Sequence, residues 1–297
     1  MVMNGLHPPT LHSLIEQQQL PAAYLEQVND WLLPLSQWLA QRRRHHKTAL
    51  LVGLNGAQGT GKSTVALFLQ ALLEQQGLVC CTLSLDDFYL GRKARTALAQ
   101  DIHPLLATRG VPGTHDLQQL NTVLDALLAG DSILLPRFNK ADDDVVAQED
   151  WPMHSGAVDV IVLEGWCVGC PAQRDAVLLD PVNALEADED AEGRWRGYVN
   201  KQLRGDYADL FARLNVLLML QAPSMQAVLQ WRRLQEQKLT IKASGQALMD
   251  ASAIRRFVQH FERLTRHCLV VLPLRADYIL TLDSEHCFTG AQLREHG

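Results

Sequence analysis

The chain has 297 residues, 47% of them hydrophobic, enough for one sizeable core or a core with appendages. Its 27 Lys and Arg against 33 Asp and Glu leave a formal charge of −6, which argues against a nucleic-acid surface or a basic membrane anchor. No stretch approaches the ~20 apolar residues that span a bilayer.

The first ten residues, MVMNGLHPPT, lack the charged and apolar regions of a signal peptide, so a soluble, cytoplasmic protein is expected. Over residues 10–44, apolar side chains recur at three- and four-residue steps: Leu11, Leu14, Ile15, then Trp31, Leu35, Trp38, Leu39. That spacing predicts helix, and Pro21 and Pro34 predict that it comes in two or more pieces. Residues 1–46 are expected to form an N-terminal helical extension packed on a main domain, 47–297, that includes a lid segment. The basic run 42–47 reads as a solvated helix end whose cations favour the C-terminal dipole.

Residues 48–54 are a continuous apolar run suited to a strand buried on both faces of a parallel sheet. A glycine-rich turn follows, then a helix over 62–76, a strand over 78–85, and a helix over 116–129 with Asp116 as its N-cap. Further strands are predicted at 133–135, 158–163, 216–220 and 278–282, and helices at 196–213, 223–238 and 248–267. Strands alternating with helices predict an α/β, doubly wound, mainly parallel sheet flanked by helices. The acidic stretch 186–192 reads as a surface loop. The six cysteines make no disulfide framework, and the lone C-x-x-C at Cys167 and Cys170 has no second pair to complete a zinc site, so structural cysteines in a reducing compartment are expected.

The turn after the first strand decides the class. Gly56, Ala57, Gln58, Gly59, Thr60, Gly61, Lys62 and Ser63, with Thr64 behind them, match G-x-x-x-x-G-K-[ST] in full. Glycines let backbone N–H groups curl around phosphate oxygens, and the following helix points its positive end at the same phosphates. Lys62 would reach the β- and γ-phosphates, and the Ser63 hydroxyl would ligate Mg²⁺. The fold expected is therefore a P-loop NTPase that binds a nucleotide, with ATP and Mg²⁺ implied.

Two more segments fit that setting. In residues 84–89 (SLDDFY), just past the second strand, Asp86 would face the γ-phosphate and either take the proton of an attacking hydroxyl or hold it in line; its bland reading is a turn aspartate. Residues 160–165 (VIVLEG) are a buried strand ending in Glu164, placed to hold Mg²⁺ waters or the acceptor; the bland reading is a strand-end salt bridge. A GTPase reading fails on order. Asn139-Lys140-Ala141-Asp142 spells N-K-x-D and 190–193 spells D-x-x-G, but GTPases place the second before the first, and Pro136 breaks the strand that should lead into N-K-x-D.

These pieces in this order resemble the branch of P-loop kinases that holds uridine kinase, phosphoribulokinase and bacterial pantothenate kinase. Residues 108–116 (TRGVPGTHD), 135–140 (LPRFNK) and 164–166 (EGW) resemble, more narrowly, D-glycerate 3-kinases of the plant and fungal type and their bacterial relatives. The resemblance runs from about residue 48 to 283. It implies an ATP-dependent phosphotransferase acting on a hydroxyl of a small, acidic metabolite, with Lys62, Asp86 and Glu164 catalytic. Asp87, Tyr89, Arg109, His115, Asp116, Arg137 and Lys140 become candidates for the acceptor pocket, since a carboxylate wants Arg or Lys and a hydroxyl wants a partner such as histidine. Arg194, Arg196, Arg232 and Arg233 are candidates for a lid over the triphosphate. Pantothenate, a nucleoside or a sugar phosphate stay open as acceptors, and a nucleotide-dependent switch that makes no product stays open as a different class.

Overall fold

A computed structural model describes residues 10–242 and 251–294 of the protein. Among these are ten strands and eleven α-helices, and the six strands read from the sequence appear among them in the expected chain order. The strands are β1 (Leu50–Gly56), β2 (Cys80–Ser84), β3 (Ile133–Leu134), β4 (Phe138–Asn139), β5 (Asp144–Val145), β6 (Met153–His154), β7 (Val160–Gly165), β8 (Val216–Gln221), β9 (Tyr278–Leu282) and β10 (Phe288–Leu293). The helices begin with α1 (Leu11–Gln17), α2 (Tyr24–Gln27), α3 (Leu33–His45), α4 (Lys62–Gln75), α5 (Arg92–Asp101) and α6 (Leu117–Ala129). They continue with α7 (Ala184–Glu189), α8 (Arg194–Arg204), α9 (Asp206–Ala212), α10 (Met225–Lys242) and α11 (Ala251–Val271).

The main sheet runs β10-β9-β8-β1-β7-β2, with β10 alone antiparallel. β1 and β7 lie at its centre and every residue of both is buried, which is why they read as unbroken apolar runs. The chain leaves β1 for β2 on one side and later places β8 on the other. The crevice at the carboxyl ends of β1 and β7 is thus the topological switch point where α/β sheets bind ligands. One face of the sheet buries α3, α4 and the start of α10; the other buries α6, α8, α9 and α11.

The structure revises several expectations. Pro34 does not break the N-terminal helix: a π-helical turn over Val28–Leu32 carries α2 into α3, so that the missing proline N–H falls where the ladder is already rearranged. The run 133–135 does not join the main sheet; β3 pairs with β6 in a two-stranded ribbon. Gly205, at φ −99° and ψ −115°, splits the helix predicted over 196–213 into α8 and α9. The acidic stretch 186–192 is no simple surface loop: α7 covers its start, and Glu186 is wholly buried against Arg263. Of the basic run, Arg43 pairs with Asp159 at 2.9 Å and Arg42 lies over the Trp38 ring. Cys167 and Cys170 are buried free thiols. No helix among the described residues is long and apolar enough to cross a membrane.

Candidate active site

The turn 56–61 follows β1 directly, and α4 begins at Lys62. Gly59 sits at φ +83°, and a Cβ there would come within 2.6 Å of the Trp231 Cβ, so both its conformation and its neighbour require glycine. At the end of β7, Glu164 is buried. Its Oε1 accepts from Ser63 Oγ at 2.7 Å and from Ser84 Oγ at 2.8 Å, while its Oε2 is buried with no partner. A buried carboxylate oxygen left unpaired is costly unless something else meets it. With Ser63 it gives an all-oxygen donor set, the kind that suits a hard divalent cation. Among the described residues no cluster of three or more His, Cys, Asp or Glu forms a metal site, so a cation here would take most of its ligands from the nucleotide and water.

β2 ends level with Glu164, because its last residue, Ser84, is the register partner of Glu164 across β2 and β7. The chain then turns through a 3₁₀ helix, Leu85–Phe88. Gly165 permits this: a Cβ there would lie 2.9 Å from Leu85 Cβ. The turn delivers Asp86, whose Oδ1 accepts from Tyr89 Oη at 2.7 Å and whose Oδ2 accepts from Lys140 Nζ at 2.6 Å. Burial pushes the Asp86 carboxyl up, but the ammonium groups of Lys140 and Lys62 and the two hydrogen bonds outweigh it and hold the group well below the usual carboxylate range. Asp87 has the opposite balance: burial wins over Arg137 and raises it. It accepts from Phe138 N at 3.3 Å and Arg137 Nη1 at 3.4 Å.

Two loops close over this pair. Residues 88–90 run antiparallel to 114–116, with bonds from Leu90 N to Thr114 O and Asp116 N to Phe88 O, so Tyr89 and His115 lie side by side with ring centroids 4.9 Å apart. Trp166 Nε1 donates to Gly110 O at 2.8 Å and anchors the loop that carries Arg109. The His115 ring is buried, and burial pushes it down to about 4 against the pull of Asp86, so it is neutral at neutral pH. Tyr207 Oη accepts from Gly113 N at 3.0 Å and lies 2.6 Å from His115 Nδ1, where its own proton is satisfied. With Tyr207 as the donor to Nδ1, the imidazole proton sits on Nε2, which is buried without a hydrogen-bond partner. From that loop Arg109 reaches the second one, where it pairs with Asp143, lies over the Phe138 ring and donates to Lys140 O at 3.4 Å.

Contacts thus link Ser63, Ser84 and Glu164 at one strand end and Asp86, Tyr89 and Lys140 just past β2, with Lys62 near enough to act on Asp86 and Arg137 on the adjacent Asp87. Other expected site residues are elsewhere. Asp116 meets the expectation of an N-cap: its carboxylate accepts from Gln119 N at 2.9 Å at the start of α6. Arg196 is not a lid residue: it is buried, bonded to Leu178 O at 2.7 Å and to the buried Asp190 at 2.9 Å, while Asp190 caps α8. That use of Asp190, and the local turn in which Asn139 Oδ1 accepts from Ala141 N at 2.9 Å, leave the GTPase-like tetrapeptides with structural roles. Arg194 stands exposed in the first turn of α8. The Arg232 guanidinium lies 5.0 Å from the Phe257 ring centroid. The Arg233 side chain lies outside the described residues.

Sequence reading missed Ser84, Tyr207 and Arg95. Ser84 stands two residues before Asp86 and shares its strand end, a signal that was available. Arg95 had none. It is a buried guanidinium that donates to Leu90 O at 3.0 Å, Ala107 O at 2.7 Å and Asp143 O at 2.7 Å, and pairs with the Asp143 carboxylate.

No protein-family model matches the chain. Among curated proteins, the uncharacterized kinase mug58 of Schizosaccharomyces pombe is 30% identical over 227 residues, covering 71% of this chain and 78% of its own length. The chloroplastic D-glycerate 3-kinase of Arabidopsis thaliana is 30% identical over 250 residues, 80% of this chain but 49% of the plant protein, so the chain matches about half of that relative. Among solved structures, D-glycerate 3-kinase from Cryptococcus neoformans shares the fold with a TM-score of 0.74 at 21% identity, covering 89% of this chain and 98% of that one.

Proposed function

The chain belongs to the family of P-loop kinases that includes the plant and fungal D-glycerate 3-kinases, and from that premise we propose that it moves the γ-phosphate of ATP onto a hydroxyl of a small carboxylic acid, D-glycerate first among them. The observation that carries the acceptor class is the Lys140–Asp86 pair. An exposed ammonium occupies the very carboxylate that should receive the acceptor hydroxyl. A short hydroxy acid answers both groups at once: its carboxylate draws Lys140, with Arg137 and Arg109 nearby, and its hydroxyl takes the place of Lys140 on Asp86.

The chemistry follows from the same positions. The turn 56–63 and Lys62 cradle the phosphates, and Thr64 follows in the first turn of α4. Ser63 and Glu164 would hold Mg²⁺, which neutralises charge on the phosphates. Asp86 orients the hydroxyl. As the acceptor oxygen–phosphorus bond forms and the bond to the β–γ bridging oxygen breaks, the hydroxyl proton passes to Asp86. Lys140 helps to hold the Asp86 carboxyl low while the pair is closed; when the acceptor draws that ammonium away, Asp86 becomes a better base as the hydroxyl seats. His115, a neutral Nε2–H donor, serves an oxygen of the acceptor. Arg194 and Arg232 remain candidates for neutralising the moving phosphoryl group.

ADP release with Mg-ATP tests this on a panel of D-glycerate, pantothenate, uridine and ribulose 5-phosphate, with Lys62→Ala as the blank. A strong D-glycerate signal is expected. A signal with another acceptor keeps the kinase and discards glycerate; no acceptor-dependent release with any of them counts against the reading.

A further inference from the structure

Gly59 has an unusual neighbour behind it. His286 lies in the turn between β9 and β10, and its Nε2 is 2.7 Å from the Gly59 carbonyl oxygen, 227 positions away in the chain. A carbonyl only accepts, so the imidazole is the donor. The ring stacks on Trp231 of α10 with centroids 4.3 Å apart and planes 30° from parallel. Trp231 in turn donates from Nε1 to Ser284 O at 2.8 Å, and its Cβ is the atom that a side chain at position 59 would strike. Three segments thus meet on one peptide of the phosphate-binding turn.

The backbone at His286 is strained for this purpose. Its φ is +65°, in the left-handed region that residues other than glycine seldom occupy. Such a conformation persists where its surroundings over-determine it. Here Asp283 does so: its Oδ1 accepts from Glu285 N and Cys287 N, each at 2.9 Å, and its own N–H donates to Cys287 O at 3.0 Å.

We propose that His286 is a positioning residue for the nucleotide: clamped by Trp231 and the Asp283 turn, it fixes the Gly59 peptide so that the turn's N–H groups face the phosphates. This rests on the nucleotide-binding reading above and deepens it. The shape of the phosphate cradle is set in part by the C-terminal hairpin and by α10, neither of which carries the P-loop motif.

The test is equilibrium binding of Mg-ADP to the full chain by calorimetry, which needs no acceptor, together with KM for ATP and kcat. His286→Asn keeps a residue that tolerates the left-handed backbone, but its amide stops short of the Nε2 position. It is expected to weaken Mg-ADP binding about tenfold, the scale of one lost hydrogen bond, and to raise KM for ATP more than it lowers kcat. His286→Gln carries an amide nitrogen to roughly where Nε2 lies and is expected to recover most of the affinity. Wild-type affinity in His286→Asn, or His286→Gln no better than His286→Asn, overturns the proposal while the nucleotide site stands. Wild-type protein that binds no Mg-ADP overturns both.

Discussion

The two halves of the crevice are held by different means. On the nucleotide side, Ser63 and Ser84 both donate to Glu164, and all three lie on or beside the ends of β1, β2 and β7, adjacent to one another in the main sheet. On the acceptor side, Lys140, Arg137 and Arg109 sit on loops and pair with Asp86, Asp87 and Asp143 of the same neighbourhood. The first half is preorganised. On the proposed reading the second must trade internal ion pairs for contacts with the acceptor, so its affinity would be a difference between similar terms and its selectivity would reside in loops.

Asp86 joins the halves, and its removal gives the largest expected effect. Asp86→Asn should lower kcat by about 10³-fold while Mg-ADP affinity in calorimetry holds, because the amide keeps the size but cannot take the proton. Near wild-type turnover would remove Asp86 from the chemistry. Next comes a pH effect on the acceptor loops. His115 is held down to about 4 in the folded protein, so between that value and its ordinary 6.5 the unfolded chain binds more protons. Stability should therefore be full above about pH 6.5 and fall as pH drops toward 4, by on the order of 3 kcal/mol at most. Denaturant melts of wild type and His115→Gln would show a smaller acid loss in the variant; identical profiles would count against a neutral, buried His115.

Lys140→Met sharpens the contrast further. It should raise KM for the acceptor roughly tenfold, a charge-assisted contact's worth, and leave Mg-ADP binding alone. An unchanged KM would mean that the ammonium only parks on Asp86. The smallest effect belongs to Ser84→Ala, which strips one of two donors from Glu164 Oε1 while Ser63 still serves it. Steady-state assays should show a loss of a few-fold at most, in line with about 1 kcal/mol for one hydrogen bond. A loss as large as that of Asp86→Asn would give Ser84 a direct part in the reaction.

The preorganised half was also the legible half. Its residues are consecutive, or close a strand whose unbroken apolar run is visible, as in β1 and β7. Edge and ribbon elements read poorly: β3 has a strand's composition but too few residues to join the sheet, and β10 carries mostly exposed residues that hide its pairing with β9. Pro34 misled because a π-turn absorbs it. The acceptor half mixes pocket residues with scaffold. For Asp116 the cap was legible in the helix pattern that follows it, but nothing local to Arg196 distinguishes a buried strut from a ligand contact. The partners that decide it, such as Tyr207 for His115 or Asp143 for Arg95, lie far off in the chain.

Arg95 bears on how such a kinase changes its taste. One guanidinium holds the chain at Leu90, at Ala107 and at Asp143, three stretches next to residues of the proposed acceptor side, Tyr89, Arg109 and Lys140. Their positions are tied to one another through that side chain. Grafting a single one of these stretches from a relative with another acceptor would leave the arginine with an orphaned bond and the other two misaligned; a working chimera would have to transplant all three with their arginine.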